Sequence, residues 1–444
     1  MERAVVFVSD LHLGTGDELE DFAPENEQAF CDFVKQQSDN LANQEVDLVL
    51  LGDSLDIWQV ATEADKHAEK SDQIDISVDH QLEAKRVKEI IAAHPKTFAA
   101  LSDFVAKDAG RRRIICIPGN HDHSLIQESV RTPLQEAVTR GEESLNSRIV
   151  FQNYYEDGDL GIYAEHGNQF DEDNDYDNFK LFGAEAPGFF FVRLFWNRLE
   201  VLQPNLDNWM NSFPAIWRQR LWSLLFPAYR LFQQYIFDER PFRRIQIASF
   251  PPVFFEGRVM GVPSRGENLR EFPDLLFTER VDPERIFSTD NEVETRLRDL
   301  YHQPENGEFR AAVDRILDEK FRGSPPKVPE PSLDAPQLEF LTKDPYVSAA
   351  RGLFGAENGT PHARPLKGGI LQPDVHKFVL MGHTHDDKEE RFHDLKVTYF
   401  NTGSWSVHRD DKGNNISRLC YVIFQKGAQG GAVATRGFWH EPLV

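Results

Sequence analysis

The chain has 444 residues, enough for two or three domains, and its formal net charge is −24. An acidic balance of this size argues against a general nucleic-acid binder held by counterion release, although it leaves room for a local basic groove. Three scattered cysteines, no signal peptide and no apolar run of membrane-spanning length favour a cytoplasmic protein.

Apolar runs in the first part of the chain predict buried strands. They lie at 5–8, 46–51, 114–117, 148–152 and 160–164. Apolar residues that recur at helical spacing predict three helices, at 25–45, 80–93 and 95–107. This mixture indicates an α/β fold, in which chemistry is usually found where strands end and loops begin.

The first two strands end in candidate metal ligands. Asp10 and His12 follow the first strand, and residues two apart in an extended segment point to the same side. A carboxylate and an imidazole placed together are a reasonable half of a metal shell. Asp53 follows the second strand, a position where an aspartate by itself is more typical of a helix cap.

The third strand ends in a sharp Pro118-Gly119 turn, which presents the amide of Asn120 and the imidazole of His121. The fifth strand ends in His166. Alone, His166 would be interpreted as an ordinary core or loop histidine, so its meaning depends on the other strand ends.

The last part of the chain contains four more predicted strands, at 378–381, 396–400, 418–425 and 432–439. The first of these ends in His383 and His385, which repeat the two-apart spacing with two imidazoles. The later strands look like antiparallel meander strands rather than strand–helix–strand units.

Five strand ends therefore carry oxygen and imidazole ligands, a mixture that suits Mn²⁺, Fe or Zn²⁺ better than Ca²⁺ or Mg²⁺. The set is too large for one ion, and a carboxylate between two groups of ligands is what a bridged pair of metals needs. Four other histidines have no such neighbours and are interpreted as ordinary. They are His80, His94, His302 and His376.

The motifs D-x-H, G-D, G-N-H-[DE], a lone H and G-H-x-H occur in this order along the chain. This ordered set resembles the calcineurin-like metallophosphoesterase family, and the match covers 1–171 and 375 to about 405. The resemblance implies a four-layered α/β/β/α sandwich with a dinuclear metal site at the strand ends. The catalytic domain would then consist of 1–171 and 375–444.

The resemblance also implies two groups of metal ligands, bridged by Asp53. The groups are Asp10, His12 and His385 for one ion, and Asn120, His166 and His383 for the other. The ions would be two divalent metals, with Mn²⁺ favoured and Fe or Zn²⁺ as alternatives. His121 would be the general acid, oriented by Asp56 or Asp122, while Asn120 would help to stabilise the developing negative charge.

The expected function is a metal-dependent phosphoesterase that hydrolyses a phosphate ester or diphosphate bond by attack of a metal-bridging hydroxide. The segments Gly52-Asp53-Ser54-Leu55-Asp56-Ile57-Trp58 and Glu165-His166-Gly167 resemble the UDP-2,3-diacylglucosamine pyrophosphatase branch, which implies a phosphorylated small-molecule or lipid-linked substrate. His121 departs from that branch, which usually has arginine there. A nuclease of the same fold and a non-catalytic binding scaffold are the alternatives.

Residues 172–374 are interpreted as a mainly helical insertion, or cap, with a proline-rich linker at 324–337. Aromatic residues and arginines alternate over 189–255. This segment is either a helical cap with its own aromatic core, or an amphipathic surface for a membrane, a lipid substrate or a protein partner. Its arginines could also neutralise a substrate phosphate. The acidic run at 171–177 is interpreted as a solvated loop rather than as extra metal contacts.

Overall fold

The computed structural model describes residues 3–68, 73–75, 80–171, 174, 186–202, 204, 344–356, 359–360, 363–408, 415–427 and 430–439. Most of the insertion predicted at 172–374, including its proline-rich linker, lies outside the described residues. Within them, the chain is a mixed α/β protein, as the sequence predicts.

Eleven strands of the described residues form two mixed sheets. The strands are β1 (Arg3–Val8), β2 (Glu45–Leu51), β3 (Arg112–Ile117), β4 (Ile149–Phe151), β5 (Tyr155–Asp157), β6 (Ile162–Ala164), β7 (Phe378–Met381), β8 (Asp387–Phe392), β9 (Val397–Thr402), β10 (Cys420–Lys426) and β11 (Ala432–Phe438). The first sheet has the order β11-β10-β1-β2-β3-β4, and β1 to β4 run parallel. The second has the order β5-β6-β7-β9-β8, with three parallel strands between two antiparallel edge strands.

The two sheets pack face to face through side chains that alternate along each strand. In β1, Val5 and Phe7 face the second sheet, where the Phe7 ring meets Tyr155 edge-on at a centroid distance of 5.5 Å. Val6 and Val8 face the opposite way and join the core beneath the helices. Because both faces of β1 are covered, the strand is apolar at successive positions, which is why it was visible in the sequence.

Helices cover the outer face of each sheet. The α-helices are α1 (Pro24–Asn40), α2 (Glu63–Lys66), α3 (His80–Ala93), α4 (Pro95–Ala106), α5 (Glu128–Thr139), α6 (Pro187–Phe191), α7 (Asn197–Glu200) and α8 (Pro345–Gly352). Side chains of α1, α3, α4 and α5 share a core with the first sheet, and α8 packs on the second. None of the described helices combines the length and apolar character needed to cross a membrane.

The predicted strands are confirmed to within two residues at each end, and α3 and α4 closely match their predicted ranges. The helix predicted at 25–45 is too long, because it ends at Asn40. Asn43 has a left-handed φ of 71°, a conformation that terminates helices. Glu45 already pairs with Arg3 in the first sheet.

Helices α2 and α5 and strands β5 and β8 were not predicted. Helix α5 contains Pro133, a residue that normally breaks a helix. Strands β5 and β8 are edge strands, and β8 consists largely of charged residues. The predicted antiparallel pairing is confirmed for β10 and β11, whereas β9 is antiparallel to β8 but parallel to β7. Strand β8 carries the chain back along the sheet edge, so β9 runs parallel to β7.

Candidate metal centre

The parallel strands of both sheets end at one edge of the molecule, and the candidate ligands meet there. The backbone N–H of Asp10 donates to the carbonyl oxygen of Gly52 at 3.0 Å, which joins the ends of β1 and β2. The backbone N–H of His383, just after β7, donates to Asp10 Oδ1 at 3.1 Å. Asp10 therefore connects the ends of strands from the two sheets.

The first cluster consists of Asp10, His12 and His385, which offer ligand atoms within 4.8 Å of one another. His385 Nε2 lies 3.0 Å from His12 Nε2 and 3.5 Å from Asp10 Oδ1. Two ring nitrogens and a carboxylate oxygen thus converge on one point. This is the group that the sequence predicts for one of the two ions.

The second cluster consists of Asp53, His166 and His383, whose ligand atoms also lie within 4.8 Å of one another. His166 Nε2 lies 3.0 Å from Asp53 Oδ2. The same carboxylate oxygen lies 4.0 Å from His12 Nε2, in the first cluster. Asp53 therefore stands between the two clusters, where a bridging ligand is needed. Asn120 is buried beside it, since the next backbone N–H, from His121, donates to Asp53 Oδ1 at 2.8 Å.

The imidazoles present defined nitrogens to these clusters. His166 Nδ1 lies 2.8 Å from the carbonyl oxygen of Leu51, which can only accept, so Nδ1 carries the proton and Nε2 faces Asp53. His12 Nδ1 lies 2.9 Å from Asp56 Oδ2, which again leaves Nε2 for a metal. Metal-binding histidines in proteins commonly donate their other N–H to a carboxylate or carbonyl in this way. The donor set therefore fits a pair of divalent ions.

The charged groups of the centre are also compatible with binding of divalent cations. Burial opposes ionisation of Asp53, but the imidazoles of His166 and His121 hold the pKa of its carboxyl well below the usual range. Burial also disfavours the charged form of His12, yet the hydrogen bond to Asp56 raises the His12 pKa to about 10. Without metal, protons on the imidazoles balance the negative charge of the buried carboxylates. A bound divalent cation would take over this role, so metal binding is expected to release protons.

The backbone at the ligands is unusual. Asp10, His12, Asp53, His383 and His385 all have a positive φ, between 48° and 71°. Residues other than glycine seldom adopt this region, and such conformations cluster at functional sites. The extended geometry assumed for the two-apart pairs is therefore wrong. Asp10 and His12, and likewise His383 and His385, reach the same edge of the sheets because they lie in turning loops after their strands. They do not lie on a continued strand.

Three glycines of the motifs allow the close packing of the ligands. A Cβ atom at Gly52 would overlap the ring of His166, and one at Gly119 would overlap the carboxylate of Asp53. A Cβ atom at Gly382 would lie only 2.6 Å from Asp10 Oδ2. The glycines before Asp53, Asn120 and His383 are therefore each explained by a side chain from a different strand end.

Gly52→Ala is expected to destabilise the protein and to weaken metal binding, because the new methyl group displaces His166. Gly430→Ala is a matched control, since both glycines have a φ of +87° but a Cβ atom at Gly430 meets nothing within 4 Å. The backbone strain alone should cost each variant about 1–2 kcal/mol. Urea unfolding and Mn²⁺ titration of both variants test this, and equal losses would show that the His166 contact is unimportant.

Of the two carboxylates considered for orienting His121, the structure favours Asp56, whose Oδ1 lies 2.9 Å from His121 Nδ1. Asp122 instead accepts the backbone N–H of Ser54 at 2.8 Å. The second oxygen of Asp56 contacts His12, so a single side chain links the first cluster to His121. Burial opposes ionisation of Asp56, but the imidazoles of His121 and His12 hold its pKa well below the usual range.

Trp58 ends the 52–58 segment quoted for the family resemblance, which assigns it no role, and its ring lies against that of His121 at a centroid distance of 4.2 Å. On its other side, Trp58 meets Phe189, at a centroid distance of 6.0 Å. Phe189 is buried and belongs to α6, at the start of the aromatic segment. This part of the insertion therefore packs against Trp58, beside His121.

The described part of the aromatic segment is not an exposed surface. Phe195 and Arg193 are both buried, and the Arg193 guanidinium donates to the carbonyl oxygens of Trp58 and Asp75 at 3.2 and 2.7 Å. Arg193 is thus used to hold the loop after β2 and is not available for a substrate phosphate. The remainder of the segment predicted to contact membrane or protein lies outside the described residues, apart from 204.

Two further residues near the ligands were missed or misinterpreted. The His408 ring lies 5.1 Å from that of His385, edge-on, and its side chain is only partly exposed. Asp171 begins the acidic run that was interpreted as a solvated loop, which is wrong for this residue. Its Oδ2 lies 3.0 Å from His383 Nε2. No local sequence signal distinguishes Asp171 from its acidic neighbours.

His94 lies away from the centre and has carboxylate partners of its own. Its Nε2 lies 3.0 Å from Glu20 Oε2, and its Nδ1 lies 3.3 Å from Glu27 Oε1. His376 likewise contacts Glu156, at 2.8 Å. The interpretation of both residues as ordinary is consistent with these positions, while His302 lies outside the described residues.

The His94 pair gives a pH-dependent contribution to stability. Burial disfavours the imidazolium, but Glu20 and Glu27 outweigh it and raise the His94 pKa above its usual value of about 6.5. The folded state therefore binds this proton more tightly, and the stabilisation is full below about pH 6.5 and is lost as pH rises through the raised pKa. Urea unfolding of the metal-free protein and of His94→Gln should show a difference that shrinks as pH rises. A constant difference would contradict this.

Comparison of the chain with protein-family models gives no match, and no curated protein matches it. The chemistry of the centre is therefore inferred from its own residues and their geometry.

Proposed function

We propose that this protein is a hydrolase that uses two divalent metal ions to cleave a phosphate ester or diphosphate bond. The observation that carries the proposal is the pair of three-residue clusters, with Asp53 between them and the His121–Asp56 pair alongside. The face-to-face sheets, with helices on their outer sides, support a four-layered sandwich of the metallophosphoesterase type.

Residues of both clusters would hold the ions. These residues are Asp10, His12 and His385 on one side, Asn120, His166 and His383 on the other, and Asp53 between them. Bound at these ligands, two divalent ions would lower the pKa of a water molecule towards about 7 and polarise the phosphoryl oxygens. The mixture of imidazoles and oxygen ligands favours Mn²⁺, with Fe or Zn²⁺ as alternatives.

The remaining groups of the centre supply proton transfer and exclusion of water. Asp56 accepts the N–H at His121 Nδ1, so the proton that can be given to a departing oxygen is the one on Nε2. The Trp58 ring covers one side of the imidazole and limits its rotation. The carboxylate of Asp56 also contacts His12. Its negative charge therefore supports both the metal ligand His12 and the proposed acid His121.

A panel of substrates tested with Mn²⁺ decides the reaction class. It should contain a phosphomonoester, a phosphodiester, a nucleic acid and a UDP-linked lipid, each incubated with the purified full chain. The proposal expects hydrolysis that chelation abolishes and Mn²⁺ restores. Cleavage of nucleic acid alone would favour a nuclease of this fold. Absence of hydrolysis across a broad panel, with metal bound, would favour a binding scaffold.

A further inference from the structure

A short chain of hydrogen bonds, made by residues that follow β6, connects His383 of the second cluster to Asn120, the further ligand proposed for the same ion. His383 Nε2 lies 3.0 Å from Asp171 Oδ2. Asn174 Nδ2 donates to the same carboxylate oxygen at 2.8 Å. Asn174 Oδ1 in turn accepts a hydrogen bond from Asn120 Nδ2 at 3.2 Å. A further bond, from Asn168 Nδ2 to the Asn174 carbonyl oxygen at 2.9 Å, holds this turn in place.

These contacts decide which atoms His383 and Asn120 can offer to a metal. Because Asp171 occupies Nε2 of His383, the nitrogen that remains as a ligand is Nδ1. Only the oxygen of an amide binds a cation, and Asn174 engages the amide nitrogen of Asn120, which fixes the orientation of the group. Asp171 and Asn174 thus act on the same cluster from outside it.

We infer that Asp171 and Asn174 are positioning residues that set the affinity of the second metal site. This inference rests on the proposed metal centre, and it assigns part of that centre to the beginning of the insertion. Asp171 orients the His383 ring and makes its imidazole a stronger donor, while Asn174 holds the amide nitrogen of Asn120 and so orients the group. Outer partners of this kind typically change metal affinity by about 10–100-fold.

The first cluster has a separate support, which makes the effect selective. His12 is held by Asp56, and Asp10 is held by the backbone N–H of His383. Neither of these contacts involves the side chain of Asp171 or Asn174. Loss of the outer pair should therefore leave the first Mn²⁺ bound as in the wild type and weaken only the second.

The test is a Mn²⁺ titration of the full chain. Binding is measured by equilibrium dialysis and by electron paramagnetic resonance. We expect Asp171→Ala to bind the first Mn²⁺ with the wild-type Kd and the second about 10–100-fold more weakly. Asn174→Ala should weaken the second ion in the same direction. Asp171→Asn should recover part of the loss, because its amide oxygen still accepts the His383 N–H. Asp159→Asn, an exposed carboxylate, is the matched control.

Spectra give a readout that does not depend on turnover. At two equivalents of Mn²⁺ the wild type should show an exchange-coupled pair, whereas Asp171→Ala should show the signal of a single ion. Wild-type affinity for both ions in Asp171→Ala and Asn174→Ala would overturn the inference. Equal weakening of both ions would also overturn it, since the effect would not be selective. A wild-type protein that binds no Mn²⁺ would instead overturn the proposed centre itself.

Discussion

Asp53→Asn is expected to lose metal from both clusters and to hydrolyse its substrate far more slowly. The Asp53 carboxylate lies 3.0 Å from the ligand nitrogen of His166 and 4.0 Å from that of His12, so its charge serves both sites. Metal ions of this kind supply several kcal/mol of transition-state stabilisation, so turnover should fall on the order of 10³-fold or more.

Asp47→Asn is the matched control for this variant. Asp47 is a buried carboxylate on β2, the strand that Asp53 follows, but it pairs with Arg3 and Arg113 at the other end of the sheet. We expect Asp47→Asn to lower the free energy of unfolding while keeping its metal content. Elemental analysis and turnover separate the two outcomes. An Asp53→Asn protein that retains both ions and full turnover would contradict the bridging role.

His121→Ala is expected to keep its metals and to lose turnover. The His121 ring lies edge-on to that of His12, at a centroid distance of 4.7 Å, but His12 keeps its own hydrogen bond to Asp56 when the His121 ring is removed. The ligands should therefore stay in place. Loss of a general acid typically slows a reaction by about 10²–10⁴-fold. The effect should be largest for substrates with poor leaving groups, because these most need a proton in the transition state.

The measurement is turnover of two aryl phosphate substrates that differ in leaving-group pKa, together with metal content. His393→Ala, an exposed histidine, serves as the control. Asp56→Asn offers a further comparison, since it disturbs His12 as well as His121 and should lower both turnover and metal affinity. A His121→Ala protein that loses metal, or that cleaves both substrates at the wild-type rate, would exclude the acid role.

The order of the candidate ligands could be predicted because each follows a strand that is buried on both faces. Such strands are visible as apolar runs, and the polar residues after them stand out. Their backbone conformation could not be predicted in this way. The left-handed φ of Asp10 and of His12 depends on hydrogen bonds to the loop after β2, which is distant in sequence.

The supporting residues were predicted less completely, for a related reason. Asp56 was one of two open alternatives, and only the fold shows that its two oxygens serve two different histidines. Asp171 carries no local pattern that marks it, and the 52–58 segment includes Trp58 without indicating its contact with His121. Strand β8 was missed because a sheet edge tolerates charged residues, so alternation of apolar side chains is not required there.

The insertion connects two strands that are direct neighbours, since Ile162 of β6 pairs with Phe378 of β7. The entropy lost on closing a loop grows only with the logarithm of its length, so each doubling adds about 0.6 kcal/mol. The sheet therefore places little restriction on how long this connection is. The restriction falls on the positions that pack or bond to the sheets: Asp171 and Asn174 where the insertion begins, the segment around Phe189, and α8. Length is free to vary here, whereas these anchoring positions are not.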